Sequence, residues 1–319
     1  MSPTVVKRVV VAATLVVLLA LPWVVNAYAI STVSRMLVFA VLAVSVNLLT
    51  GVTGLPTLGQ SAYFGVGAYT GALVATTLTD VGPVQLVICA AAGALAAAVT
   101  GPVVMRARGV PFLMITLAIG EIAYVAAGRL DFITRGTDGF SGIPPVVPLP
   151  GMEPLRLDGL VYYYVLAVFL LLFAIVAVLL RSPFGLALRG IRDNEARLRA
   201  VGYPTTAFAL TSYCIAGALA GAAGSMWTAT QRFVAPGDMG FQVAALALLA
   251  VVIGGVGSMW GACVGAALVV LIRDYLGGFL AGQGPLLLGI LFVVVVYTLP
   301  HGLAGVSWPR RRSREEVSA

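Results

Sequence analysis

Residues 161–180 read VYYYVLAVFLLLFAIVAVLL, a run with no charge anywhere between Asp158 and Arg181. A helix rises about 1.5 Å per residue, so such a run reaches roughly 30 Å, the thickness of a bilayer's hydrocarbon core. Nothing in it alternates with period two, which sets aside a barrel strand. Water is absent at that depth, so the backbone must satisfy its own hydrogen bonds, and a helix does so within one segment.

Similar runs recur outward from this one. Ten candidate spans fall near 9–25, 33–49, 62–78, 84–105, 111–127, 159–180, 206–230, 242–256, 260–276 and 285–299. Of the 319 residues, 60% are hydrophobic and 10% charged, with a mean hydropathy of +1.03. A soluble domain carries about a quarter charged residues, so this surface is built to face lipid. The expected fold is all-α and polytopic, about ten transmembrane helices forming a single membrane domain over 1–319.

The basic residues test that count. With the N-terminus placed inside, the inner segments hold 13 of the 19 Lys and Arg: Lys7, Arg8, Arg106, Arg108, Arg181, Arg189, Arg192, Arg197, Arg199, Arg310, Arg311, Arg312 and Arg314. The outer segments hold the other 6, Arg35, Arg129, Arg135, Arg156, Arg232 and Arg273. The positive-inside rule therefore gives N-in and C-in, with residues 300–319 as a cytoplasmic tail. Scattered in short patches between apolar runs, these charges make no nucleic-acid site, despite a pI near 9.6. Lys7-Arg8, an apolar stretch and Ala27-Tyr28-Ala29 also resemble a cleavable signal peptide. The apolar stretch exceeds the usual core of such a signal, which favours a retained first helix.

Two loops are longer than connectors need to be. The external loop, 128–158, is too rich in Gly and Pro for a long helix. The cytoplasmic loop, 181–205, reads RSPFGLALRGIRDNEARLRAVGYPT and predicts a short amphipathic helix with Leu188, Ile191 and Leu198 near one face. A positive-inside anchor explains its arginines; a helix projecting from the membrane is also what a transporter needs to receive force from a soluble motor.

Glycines spaced by four, Gly67 and Gly71, Gly217 and Gly221, Gly261 and Gly265, read as close helix packing. Two uncharged, turn-rich breaks interrupt apolar sequence: GVTGLPTLGQS at 51–61 and GGVGSMWG at 254–261. Each is either a substrate-contacting break at membrane depth or a tight turn between spans. Glu121 is the only acid deep in a span, and three roles stay open for it. It meets the substrate's ammonium group, couples protons, or is structural, either pairing with Arg106 or Arg129 or lying nearer the surface than the span boundaries place it.

Covalent chemistry has little to work with. One histidine, His301, cannot assemble a triad or a metal set, and Cys89, Cys214 and Cys263 lie in separate apolar runs without metal-ligand spacing. No glycine-rich loop precedes the only lysine, Lys7, so the chain carries no P-loop. If ATP drives this protein, the ATPase is another polypeptide.

Four ordered blocks then carry a resemblance that covers about residues 36–300. GLPTLGQSAYFGVGAYTGAL is similar to GxxSLGxAAFFGxGAYxxA. LMITLAIGEIAYVAAGRLDFITRGTDGFSGIP is similar to LAIxTLxxGEIxR followed by TGGxDGIxGIP. RSPFGLALRGIRDNEARLRAVGY is similar to RSPxGRALxAIRxNExxAxxxGI, and VVIGGVGSMWGACVGAAL to VxGGxGSxxGPxxGAxL. The chain thus resembles the permease subunits of branched-chain amino acid ABC importers, LivM type.

The resemblance implies a half-transporter bundle in the bacterial cytoplasmic (inner) membrane, moving Leu, Ile and Val. It implies a second, homologous permease, two ATPase subunits that hold ATP and Mg, and an extracytoplasmic binding protein; the chain itself binds no cofactor or metal. It assigns Asp193, Asn194, Glu195, Ala196 and Gly202 to ATPase coupling, and Asp138, Gly139 and Gly142 to the external segment. Glu121 matches its GEI position; with Gly59, Gln60, Ser61, Gly254, Gly255 and Gly257 of the two breaks it makes the candidate translocation pathway. Ala123, Tyr124, Gln60 and Ala262 depart from the common pattern. Relatives with the same blocks import urea, short amides or other amino acids, which are the alternative cargo, and an ion-coupled carrier using Glu121 is the alternative mechanism.

Overall fold

The computed structural model describes residues 16–23, 25–276, 286, 289–290, 293–294 and 302–303. Lys7, His301, the 300–319 tail beyond 302–303, and most of the expected spans 9–25 and 285–299 lie outside these residues; within the first of them, residues 16–23 are helical.

Among the described residues nine helices of more than a few residues follow in order: α1 (Ala27–Asn47), α2 (Gln60–Thr77), α3 (Gly82–Val104), α4 (Val110–Arg129), α5 (Asp158–Arg181), α6 (Pro183–Ala200), α7 (Thr205–Gln231), α8 (Phe241–Gly254) and α9 (Met259–Leu271). Among the described residues six helical segments are long and apolar enough to cross a membrane: Ala27–Thr53, Gly82–Val104, Val110–Arg129, Asp158–Arg181, Thr205–Gln231 and Pro236–Gly254. The expected spans 62–78 and 260–276 appear as α2 and as α9 continued by a π turn, Ile272–Leu276. Proline opens α3, α4 and α6, where its fixed φ suits the first turn and its missing N–H is not needed. Ser258 caps α9, its hydroxyl accepting from the Gly261 N–H at 3.1 Å.

The break expected at 51–61 is corrected at its start. Helix α1 runs on into a π turn, Leu48–Thr53, which Gly54 ends at φ +80°. Only residues 54–59 leave helical geometry before α2 begins.

Helix α1 is surrounded by α5, α7, α8 and α9, and α7 carries α2 and α3 along its length. Glycine makes that second seam possible. A Cβ on Gly221 would strike the Cys89 carbonyl of α3, and one on Gly67 would strike the Gly221 carbonyl of α7. The paired glycines thus act as packing surfaces at 67 and 221. Backbone atoms cannot rotate away as side chains do, so overpacking here costs at the upper end of the usual ~1–3 kcal/mol or beyond. Gly221→Val is expected to lose most of its monodisperse peak in detergent chromatography. Gly128→Ala, placed in open space, should elute as wild type.

The loop 128–158 holds one short helix, Asp131–Thr134, and one 3-10 turn, Gly136–Asp138. It is pinned by two isolated bridges, Val81 to Val147 and Phe140 to Val234. Arg135 lies over the Phe140 ring, 4.3 Å from its centroid.

Candidate functional site

Helix α6 occupies the cytoplasmic loop of the sequence reading and is two pieces rather than one. Asn194 sits at φ −163°, ψ 94°, outside helical geometry, and its Oδ1 accepts from the Arg197 N–H at 2.9 Å. It is therefore the N-cap of the second piece. Gly185, Ala187, Leu188 and Ile191 are buried on the first piece, and Phe184 stacks on Phe208 of α7 with centroids 5.6 Å apart.

Of the residues assigned to coupling, Asp193, Asn194, Ala196 and Gly202 are exposed, Gly202 at φ +98° with open space around it. Glu195 turns inward. Its carboxylate accepts two hydrogen bonds from Arg108, at 3.0 and 3.1 Å, one from Arg199 at 2.7 Å and one from the Thr205 hydroxyl at 3.1 Å. Donation from Arg108 is the main cause holding this carboxyl below its ordinary 4.5. One acid thus ties together the α3–α4 connection, the second piece of α6 and the start of α7.

The first piece of α6 reaches the two breaks. Arg192 Nη1 donates to the Gly51 carbonyl. The Asn47 side-chain oxygen accepts from the Gly257 N–H at 2.8 Å. A Cβ on Gly54 would meet Arg192, and one on Gly257 would lie 2.9 Å from Arg192 Nη1. Gly257 adopts φ +91°, a conformation that a side chain resists. Breaks at 51–61 and 254–261, two hundred residues apart in sequence, are therefore one junction with Arg192 at its centre. Asn47 and Arg192 were absent from the candidate residues. Asn47 carries a usable signal, being the only carboxamide between Asn26 and Gln60.

A second cluster forms where α2 starts. Ser45 donates to Gln60 Oε1 at 3.0 Å, and the Leu58 N–H donates to Thr116 Oγ1 at 3.2 Å. Gln60 and Ser61 are each 1% exposed, yet Gln60 Nε2 and Ser61 Oγ have no hydrogen-bond partner. Buried polar atoms are rarely left so, since each costs ~1–3 kcal/mol. Gly59, which precedes α2, packs on Thr116 of α4. Glu121 lies on α4 one position beyond Gly120, which faces Leu58 and Ser61. It is half-exposed, and among the described residues neither Arg106 nor Arg129 pairs with it. The structural ion pair considered for Glu121 is thus not formed.

Gly254 packs on Gly261 across the second break. Gly255 meets Gly302 there. At the far end of the molecule Asp138 is exposed, Gly139 is buried against Val234 and Gly142 is open. They share the loop 128–158. Cys89, Cys214 and Cys263 are free thiols.

Comparison with known proteins follows this geometry. Residues 28–298 match a family profile described as branched-chain amino acid transport system / permease component. The chain is 30% identical, over 96% of its length and 77% of the relative's, to the high-affinity branched-chain amino acid transport system permease protein LivM of Salmonella typhimurium. The LivM protein of Escherichia coli gives the same identity and coverage. A probable branched-chain amino acid transport permease protein LivH of Methanocaldococcus jannaschii is 28% identical, over 87% of this chain and 91% of the relative. No solved structure matches the chain.

Proposed function

The chain belongs to the branched-chain amino acid transport permease family, and from that membership we propose that it is one permease half of an ATP-driven importer for Leu, Ile and Val. It is a multi-pass helical protein of the bacterial inner membrane and a transport component. The finer reading adds about ten helices with both ends cytoplasmic, a second homologous permease, two ATPases holding ATP and Mg, and an extracytoplasmic binding protein.

The observation that carries the mechanism is the Arg192 junction. An ATP-driven importer needs a cytoplasmic element that moves membrane-embedded segments, and α6 is hydrogen-bonded to a π turn of α1 and packed against the α8–α9 break. In this reading the exposed Asp193, Asn194, Ala196 and Gly202 face the ATPase, and Glu195 holds their helix in register. Closure of the ATPases on ATP displaces α6, Arg192 pulls on Gly51 and Gly257, and the breaks rearrange. Gln60 and Ser61, whose Nε2 and Oγ lack partners, border the path that this opens, with Gly59, Glu121, Gly254 and Gly255. Asp138, Gly139 and Gly142 belong to the surface that receives the binding protein.

Labelled-leucine uptake in cells with and without the gene tests the substrate, using a strain without a redundant importer. Loss of uptake on deletion, with valine competing and urea not, is expected. Unchanged uptake would move the cargo to urea, an amide or another amino acid. The unpaired Glu121 supports a second reading, an ion-coupled carrier. Uptake by membrane vesicles that have a proton gradient and no ATP would establish that one instead.

A further inference from the structure

A cleft lies where α1, α2, α7, α8, the Pro236–Met239 turn and the segment after α9 converge. Its walls are Phe39, Phe64, Trp227, Asp238, Gln242 and Arg273. The two phenylalanines are buried, and Trp227 meets Phe64 edge-on with centroids 6.0 Å apart. The indole N–H of Trp227 is buried without a good hydrogen-bond partner, although it faces Asp238.

Charge in the cleft is of both signs and only loosely matched. One oxygen of Asp238 accepts from the Ala235 N–H at 2.9 Å, which fixes the carboxylate in place. Arg273 stands 3.8 Å from Asp274, but Asp274 already holds Arg35 at 3.2 Å. Among the described residues Asp238 and Arg273 form no ion pair with each other. Asp238 is half-buried and the Arg273 side chain is 45% exposed, so the two attract across the cleft without a direct bond. A ligand with a positive and a negative group side by side gives each a direct partner, and an aromatic wall beside them suits an apolar substituent.

We propose that this cleft is the substrate site of the permease, taking a zwitterionic α-amino acid with an apolar side chain. Asp238 receives the ammonium group, Arg273 the carboxylate, and Phe39, Phe64 and Trp227 the side chain. This rests on the importer reading above and narrows it: urea and amides carry neither full charge and would meet Asp238 and Arg273 only through weaker, singly charge-assisted hydrogen bonds. The space measures about 60 Å³, room for a few waters. A whole leucine needs the cleft to widen beyond this volume. Phe64 lies on α2 one helical turn beyond Gln60 and Ser61, whose Nε2 and Oγ are the buried polar atoms left unpartnered.

The test uses the complete importer in liposomes, with binding protein in excess, measuring leucine uptake and substrate-free ATP hydrolysis. Asp238→Asn, which keeps the bond to Ala235, and Arg273→Gln should each slow uptake roughly tenfold or more, with basal hydrolysis near wild type. Wild-type uptake in both variants overturns the site. Loss of basal hydrolysis together with uptake makes the cluster structural and overturns it as well. A wild-type importer that moves no leucine fails one step earlier, sinking the substrate reading and this inference with it.

Discussion

Arg192→Ala is expected to cut leucine uptake by the reconstituted importer roughly tenfold or more while ATP hydrolysis continues. The guanidinium makes a charge-assisted hydrogen bond to the Gly51 carbonyl and packs against Gly54 and Gly257. Bonds of that class contribute ~1.5–3 kcal/mol. Alanine leaves α6 intact, since it is a strong helix former. What is lost is the link between a cytoplasmic helix and the two breaks, so the motor turns over without moving the membrane segments. Arg192→Lys keeps the charge but replaces the rigid fork with a single flexible ammonium. It should retain part of the uptake. Equal uptake in wild type and Arg192→Ala would show that force reaches the breaks by another route.

The helical class was legible in the sequence because it depends on run length and composition. Residues 161–180 are apolar throughout and become the core of α5, and the 67 and 221 glycines become packing seams, as their spacing implied. The amphipathic helix at 181–205 was legible for the same reason, since Leu188 and Ile191 share a face. Its interruption at Asn194 was not, because a capping asparagine and a helical one look alike in a short charged segment. Nor was the inward turn of Glu195, which depends on Arg108, 87 residues away.

The two breaks were legible as anomalies and illegible as one site. Periodicity reports which face of an element is apolar, and it carries nothing about which distant elements meet. Asn47 and Gly257 are 210 positions apart, Arg192 and Gly51 141. The same limit hid the Asp238 and Arg273 cleft, where each charge sits near a helix end and reads alone as an ordinary surface residue. Glu121 drew attention as the one deep acid, yet the mixed-charge cleft formed elsewhere.

Reversing one charge at the α6 anchor should be more damaging than deleting it, and reversing both should repair it. In Glu195→Arg, a third guanidinium faces Arg108 and Arg199, and the Thr205 hydroxyl loses its acceptor. The side chains of Arg108 and Glu195 are 36% and 23% exposed, so solvent screening limits the native pair to about 1 kcal/mol. Repulsion in the single variant adds a cost of similar size. Recovery of the ATPase subunits with an affinity-tagged permease is expected to fall roughly fivefold or more. Arg108→Glu combined with Glu195→Arg rebuilds the pair in the opposite sense and should restore most of that loss. A double variant no better than the single would place Glu195 in direct contact with the ATPase rather than in the internal anchor. The anchor is also insensitive to physiological pH. The Glu195 carboxyl lies below its ordinary 4.5 in the folded protein, so its contribution is complete above that value and is lost only as pH falls through the lower, folded one. Copurification compared at pH 6 and pH 8 should therefore agree for wild type, and a marked drop at pH 6 would point to a titrating group other than Glu195.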